Sequence, residues 1–157
     1  MTATIDIDNQ CPNHWCPDQS SCESWINQAL ARLGNSGDTN LSLRLVDAAE
    51  SERLNQQYRE KSGPTNVLSF PSEVPEEIAT VIGFQPMGDI VICPEVLAAE
   101  AEAQNKTLES HWAHILIHGL LHLCGFQHDS EERAETMENL EIEILKTLGI
   151  PNPYLVG

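Results

Sequence analysis

The sequence predicts an α+β domain, a small mixed sheet of about four strands with about five helices packed on it. Two observations predict this class. Short stretches of alternating apolar and polar residues are interleaved with longer stretches whose apolar residues recur at helical spacing, and most of the latter carry start or stop signals. Nothing repeats and no low-complexity linker divides the chain, so residues 1–157 are expected to form a single domain.

Ala3 to Asp8 alternates like a half-buried strand. Ser20 or Ser21 then precedes Trp25, Ile26, Ala29, Leu30 and Leu33 at helical spacing, and Gly34 supplies the stop. Leu41 to Val46 alternates again, and Asp47 with Glu50 forms a capping-box pattern opening a helix through Leu54 and Tyr58, which places Arg59 near its C-terminal end. Ser62-Gly-Pro64 breaks that helix. Val67 to Phe70 has strand composition and is ended by Pro71, an acidic loop follows, and Ile90 to Cys93 is a further short strand. Pro94 suits the first position of a helix to about Asn105. The next helix runs from about Leu108 to Cys124 with Gly125 at its end, and Asp129 with Glu132 caps a last helix through Met137, Leu140, Ile144 and Leu148.

The chain of 157 residues is 41% hydrophobic and 20% charged, enough for one core without a covalent staple. Five cysteines, an odd number at uneven spacing, read as reduced thiols and point to a cytoplasmic protein. The four- and five-residue gaps among Cys11, Cys16 and Cys22 do not match a metal knuckle. The first twenty residues carry no base and precede no apolar core, so no signal peptide is expected. No apolar run reaches the roughly 20 residues of a membrane span. Net charge is −16, from 24 acids against 8 Lys and Arg, which repels a polyanion at long range.

The chemistry lies in His118-Gly-Leu-Leu-His122-Leu-Cys-Gly-Phe-Gln-His128. Residues four apart on a helix stand one turn above each other, so His118 and His122 can present two imidazoles to one ion. His114 cannot join them, because it lies about 12 Å of axial rise from His122. Gly125 accepts the left-handed conformation that ends a helix and lets His128 fold back. Three histidines leave a fourth position for water, the open arrangement of catalytic zinc, and one Zn²⁺ per chain is expected. His111 and His114 share the same helical face and either line the approach to the metal or serve packing. The segment also matches the metzincin pattern H-E-x-x-H-x-x-G-x-x-H at each ligand and at the glycine, but Gly119 stands where the glutamate base would be, which disfavours peptide hydrolysis by that route. Cys124, two residues from His122, should point away from the ligand face.

The same segment resembles the H-G-x-L-H-L-x-G-Y-D-H signature of the YbeY family. Leu54-Asn-Gln-Gln-Tyr-Arg59, Pro64-Thr-Asn-Val-Leu-Ser-Phe-Pro71, Gly88-Asp-Ile-Val-Ile92 and Leu148-Gly-Ile-Pro-Asn-Pro-Tyr154 resemble its other blocks, so the likeness spans about residues 40 to 155. It implies a zincin-like, metalloprotease-like α+β fold, zinc on His118, His122 and His128, and a single-strand-specific endoribonuclease of 16S 3′-end maturation and ribosome quality control. It also implies Arg59 as the functional arginine, and a guanidinium can bind phosphate bidentately and stabilise charge in phosphoryl transfer. Expected partners are single-stranded RNA or rRNA and a ribosomal small-subunit protein or assembly GTPase, with no DNA and no membrane.

Two positions depart from the family pattern. Gln127 stands where Asp is common and Asn66 where Thr-Asp is usual, and each removes a carboxylate that would raise ligand basicity if it oriented a histidine. Asp89 is either a carboxylate behind the metal or a strand-end turn residue. A local positive site of metal, Arg53, Arg59 and Lys61 would answer the charge objection. Two alternatives stay open: a zinc metallopeptidase-like hydrolase, and a non-catalytic ribosome assembly factor with a structural metal. Gly119 opposes the first; for the second the fourth ligand discriminates, since water supports catalysis whereas a cysteine such as Cys124 would close the site.

Overall fold

The computed structural model describes residues 3–35 and 37–155. The elements run β1 (Ala3–Asn9), α1 (Gln19–Arg32), β2 (Thr39–Leu45), α2 (Ala48–Arg59), β3 (Val67–Pro71), α3 (Glu76–Ile82), β4 (Gln85–Ile92), α4 (Pro94–Ala103), α5 (Leu108–Leu123) and α6 (Glu131–Thr147). The α+β class with a four-stranded mixed sheet is as expected, with six helices in place of about five.

The sheet order is β1-β2-β4-β3. β1 is parallel to β2 and β2 to β4, whereas β3 runs antiparallel to β4 as an edge. Strict alternation decides which side faces the main core. Leu41, Leu43 and Leu45 of β2 join Ile5 of β1 and Ile90 and Ile92 of β4 on the face covered by α1, α5 and α6. The opposite face holds a smaller cluster of Val46, Leu54, Leu68 and Val91, with Phe70 packed against it, and α2 covers it through Leu54.

α5 is the central helix. Trp112, Leu116, Ile117 and Leu120 on it are fully buried. It lies close over β3, where the Ser69 hydroxyl donates to the Gly119 carbonyl at 2.9 Å. A Cβ at Gly119 would meet Ile90 Cγ2 at 3.1 Å and Ser69 Oγ and Val67 Cγ2 at 3.3 Å, so the missing side chain sets how closely helix and sheet approach.

The differences from the sequence reading have local causes. α3 lies in the stretch expected to be an acidic loop. It buries only Ala79 and turns Ile78, Val81 and Ile82 outward, so it carries no amphipathic stripe to detect. β4 begins at Gln85, five residues before Ile90, because an irregularity near Gly88 interrupts its alternation. Asp18 caps α1, accepting from the Ser21 amide at 2.8 Å, in place of Ser20 or Ser21. Ser130 caps α6 in place of Asp129. Asp47 caps α2 as expected, but Glu50 binds Arg53 instead of closing the box.

Gly88 has φ +129°, and a Cβ there would lie 2.2 Å from the Phe70 carbonyl oxygen on the paired strand. Gly88→Ala should therefore destabilise the protein by more than about 2 kcal/mol. The urea midpoint checks this, and an unchanged midpoint would contradict the close pairing of β3 with β4.

Candidate metal centre and active site

His118 and His122 sit one turn apart on α5, each half-buried. Their outer ring nitrogens are both engaged. His122 Nδ1 lies 2.9 Å from the Phe126 carbonyl, and His118 Nδ1 faces the Glu141 carboxylate. Both partners accept, so each Nδ1 carries the proton and each Nε2 of the neutral ring presents a lone pair. Those two Nε2 atoms face each other at 3.1 Å. Two lone pairs at that distance repel unless something positive lies between them.

Gly125 supplies the turn that brings in the third histidine. It has φ +98°, its amide donates to the His122 carbonyl at 3.0 Å, and the Phe126 amide donates to the Leu121 carbonyl at 3.0 Å. This pair of bonds is a Schellman motif. The same motif delivers the Phe126 carbonyl to His122 Nδ1, so the helix stop also sets the tautomer of a candidate ligand. Beyond it, His128 folds back until ring nitrogens of His118, His122 and His128 all lie within 4.8 Å of one another. A tetrahedral ion with bonds near 2.1 Å separates its ligands by about 3.4 Å, so the trio could hold a metal ion. Among the described residues no cysteine or carboxylate joins this group; Cys124 stays outside it.

Burial and the neighbouring His118 hold the His122 pKa below the usual imidazole value, which favours the neutral, metal-binding form. Behind His118 lies a buried network. Glu141 is fully buried on α6. Its carboxylate meets His118, accepts from His114 Nε2 at 3.2 Å, and receives the Tyr154 hydroxyl. Burial alone would push its pKa up, but the hydrogen bonds from His114, His118 and Tyr154 outweigh it and hold the carboxyl at about 2. Burial, followed by that same carboxylate, raises the Tyr154 phenol above its ordinary value. Lys106 anchors the tail by donating to the Pro153 carbonyl at 2.8 Å.

The histidines open into a cavity of about 630 Å³ that also contains Arg59, Tyr58, Phe70, Asn66 and Gln127. Among the described residues no carboxylate lines it. Arg59, in the last turn of α2, is exposed and makes no hydrogen bond or ion pair with any described residue.

The chain matches the family described as Endoribonuclease YbeY over residues 6–149. The chain belongs to the YbeY family. An Endoribonuclease YbeY of Colwellia psychrerythraea is 48% identical over 157 residues, covering 99% of each chain. One from Acinetobacter baumannii is 52% identical over 130 residues, 82% of each chain. The solution structure of TM1509 from Thermotoga maritima superposes with a TM-score of 0.54 at 25% identity, covering 94% of this chain and 91% of that one.

Within this YbeY protein the structure brings together Arg59, His118, His122 and His128 and leaves other candidates aside. Asp89 does not stand behind the metal site; it lines a separate groove on the far face of the sheet, and Glu141 occupies the place proposed for it. Arg53 is committed to Glu50, at 2.6 and 2.9 Å, and neither it nor Lys61 lines the cavity, so the local positive group narrows to Arg59. His111 and His114 pack behind the site, His111 against Glu100 at 2.9 Å. The two amide departures do not replace orienting carboxylates for His118 or His122. Asn66 Nδ2 donates to Glu100 at 3.2 Å, and the partners of the two histidines are Glu141 and Phe126. Gly119 offers only a tight place for the metzincin glutamate, whose Cβ would meet the Ile90, Ser69 and Val67 side chains at 3.1 to 3.3 Å.

The sequence reading missed Glu141 and Tyr154. A signal for Glu141 was present, since it lies four residues after Met137, three before Ile144 and seven before Leu148, on the apolar stripe of α6.

Glu141→Gln should weaken divalent-metal affinity by about 10- to 100-fold, measured by chelator competition. A carboxylate with a lowered folded pKa stabilises the fold above its unfolded value, near 4.3, and that contribution is lost as pH falls towards the folded value. The metal-free wild type should therefore lose thermal stability between about pH 4.3 and 2, and the Gln variant should show a shallower decline.

Proposed function

We propose that this protein is a zinc-dependent, single-strand-specific endoribonuclease acting in 16S rRNA 3′-end maturation and ribosome quality control, with His118, His122 and His128 as metal ligands and Arg59 at the phosphate. One observation carries this reading. On a chain of net charge −16, the cavity holding the histidine trio contains, among the described residues, a guanidinium without an ion-pair partner and no carboxylate. A phosphodiester is the substrate group that such a cavity favours, because it meets positive charge there and repulsion elsewhere on the surface.

Three imidazoles opening into a cavity match the open arrangement of catalytic zinc better than a closed structural site. When bound, the ion supplies Lewis acidity toward the phosphodiester or the attacking oxygen. Arg59, unpaired and exposed, binds the non-bridging phosphate oxygens through its fork of N–H donors and offsets charge that develops there. Glu141 and the Phe126 carbonyl keep the two helix histidines in the ligand tautomer. The proton acceptor is not a carboxylate of this cavity, which separates the reaction from the glutamate-assisted route of metzincins.

The acidic body also bears on partners. It favours weak, short-footprint binding of free RNA and delivery of substrate by a ribosomal small-subunit protein or an assembly GTPase. The attacking oxygen is water or the RNA's own 2′-hydroxyl, and a 2′,3′-cyclic phosphate product would identify the latter.

On an end-labelled single-stranded RNA, Arg59→Ala should lower kcat/KM by about 100- to 1000-fold with metal content unchanged. His122→Ala should lose both metal and cleavage, chelator should abolish wild-type activity, and a matched duplex should resist. Cleavage indifferent to both substitutions would come from a contaminating nuclease and would remove the assignment.

A further inference from the structure

Tyr58 is 57% exposed, although it lies one turn after the buried Leu54 on the sheet-facing side of α2. It therefore continues a core stripe past the end of the core, into the open. Its ring meets that of Phe70, from β3, with centroids 5.0 Å apart and planes at 72°. Phe70 is itself packed against the small core cluster, so it fixes the tyrosine ring from one side. Both rings line the metal cavity, and Tyr58 immediately precedes Arg59 in the chain.

We infer that the exposed ring of Tyr58, braced by Phe70, is a stacking platform for a nucleobase flanking the phosphate bound at Arg59, and that this platform selects single-stranded substrate. The inference rests on the RNA reading above. An edge-to-face pair leaves a face of the outer ring free, and nucleobases stack on such faces without regard to sequence because every base has a π-surface. A base inside a duplex already has neighbours on both faces and cannot reach the ring without unstacking. The arrangement thus rejects paired RNA without contacting its sequence.

The same two rings also border the groove on the far face of the sheet, about 610 Å³, where Asp6, Asp8 and Asp89 face one basic residue, Arg44, among the described residues. A phosphate crossing the aromatic wall would enter a carboxylate-rich groove, whereas an uncharged base can rest at the border. The wall therefore marks one end of the strand's path, and the footprint on that side stops within about one nucleotide of the ring.

The test uses full-length metal-loaded protein for cleavage and the metal-free protein for binding. Wild type, Tyr58→Ala, Tyr58→Phe and Arg59→Ala are compared on a single-stranded RNA whose main cleavage position has been mapped, and on copies made abasic on either side of it. Tyr58→Ala should raise KM by about 5- to 150-fold with kcat little changed, and Tyr58→Phe should restore it. An abasic position on one flank should erase the difference between wild type and Tyr58→Ala. A 2-aminopurine at that flank should be quenched on binding metal-free wild type and Tyr58→Phe, but not Tyr58→Ala. If Arg59→Ala abolishes cleavage while Tyr58→Ala keeps the wild-type KM and quenching, the platform is wrong and the RNA reading stands. Failure of Tyr58→Phe to rescue would also overturn it, since the ring would not be the active element. Cleavage by wild type no faster than by His122→Ala would sink the RNA reading and the platform with it.

Discussion

The site depends on a carboxylate buried where a carboxylate is costly. Removing Glu141 from water carries a penalty of several kcal/mol unless donors replace the lost hydration. The structure supplies three, from His114 and His118 on α5 and from Tyr154 in the C-terminal tail. Satisfying one group thus ties a helix turn, a second helix and the tail together, and fixes His118 with Nδ1 outward and Nε2 toward its partner histidine. The orientation of a candidate ligand is therefore a by-product of solving a burial problem in the core. His122 is fixed by different means, a backbone carbonyl delivered by the Schellman turn at Gly125. His128 is exposed, and its place depends mainly on that turn.

Two glycines then determine which chemistry the trio can support. Gly125 allows the reversal that brings the third histidine in. Gly119 lets α5 settle onto β3, where Ser69 donates to its carbonyl, and the resulting contact leaves little space for a side chain. A glutamate at this position would crowd the Ile90, Ser69 and Val67 side chains from its Cβ onward. The resemblance to a protease in ligand spacing therefore ends at a packing constraint. Asymmetry of this kind, with shared ligands and an excluded base, is expected when one metal-binding frame serves different reactions.

The candidate ligand trio was legible in the sequence because each part of it is local. The interval from His118 to His122 is one helical turn, and the reversal needs one glycine. Arg59 was singled out as a candidate only through the resemblance, since an arginine at a helix end is unremarkable by itself. Glu141 was obscured by composition. Among 24 acids it read as one more solvated charge, although its spacing from Met137, Ile144 and Leu148 set it on the buried stripe. Tyr154 and the Asn66–Glu100 contact join residues 13 and 34 positions apart, and no periodicity reports such pairs. α3 escaped for the opposite reason, because its apolar residues face outward and produce no pattern.

The charge distribution gives the remaining argument. A body of net charge −16 repels RNA at distances within the Debye length, about 8 Å at physiological salt, and only short-range contacts can overcome that repulsion. The cavity is arranged for this, with its positive charge concentrated on Arg59 and its carboxylates excluded. Asn66 and Gln127 contribute directly, since carboxylates at those two positions would each put a negative charge in the cavity lining. At Asn66 a carboxylate would also face Glu100, which now accepts from the amide at 3.2 Å. The two amides are therefore better understood as features that keep the cavity free of negative charge than as losses of ligand support. Under the proposed function the acidic surface disfavours indiscriminate capture of RNA, and a cavity whose described lining holds Arg59 and no carboxylate is the place on it that favours a phosphodiester.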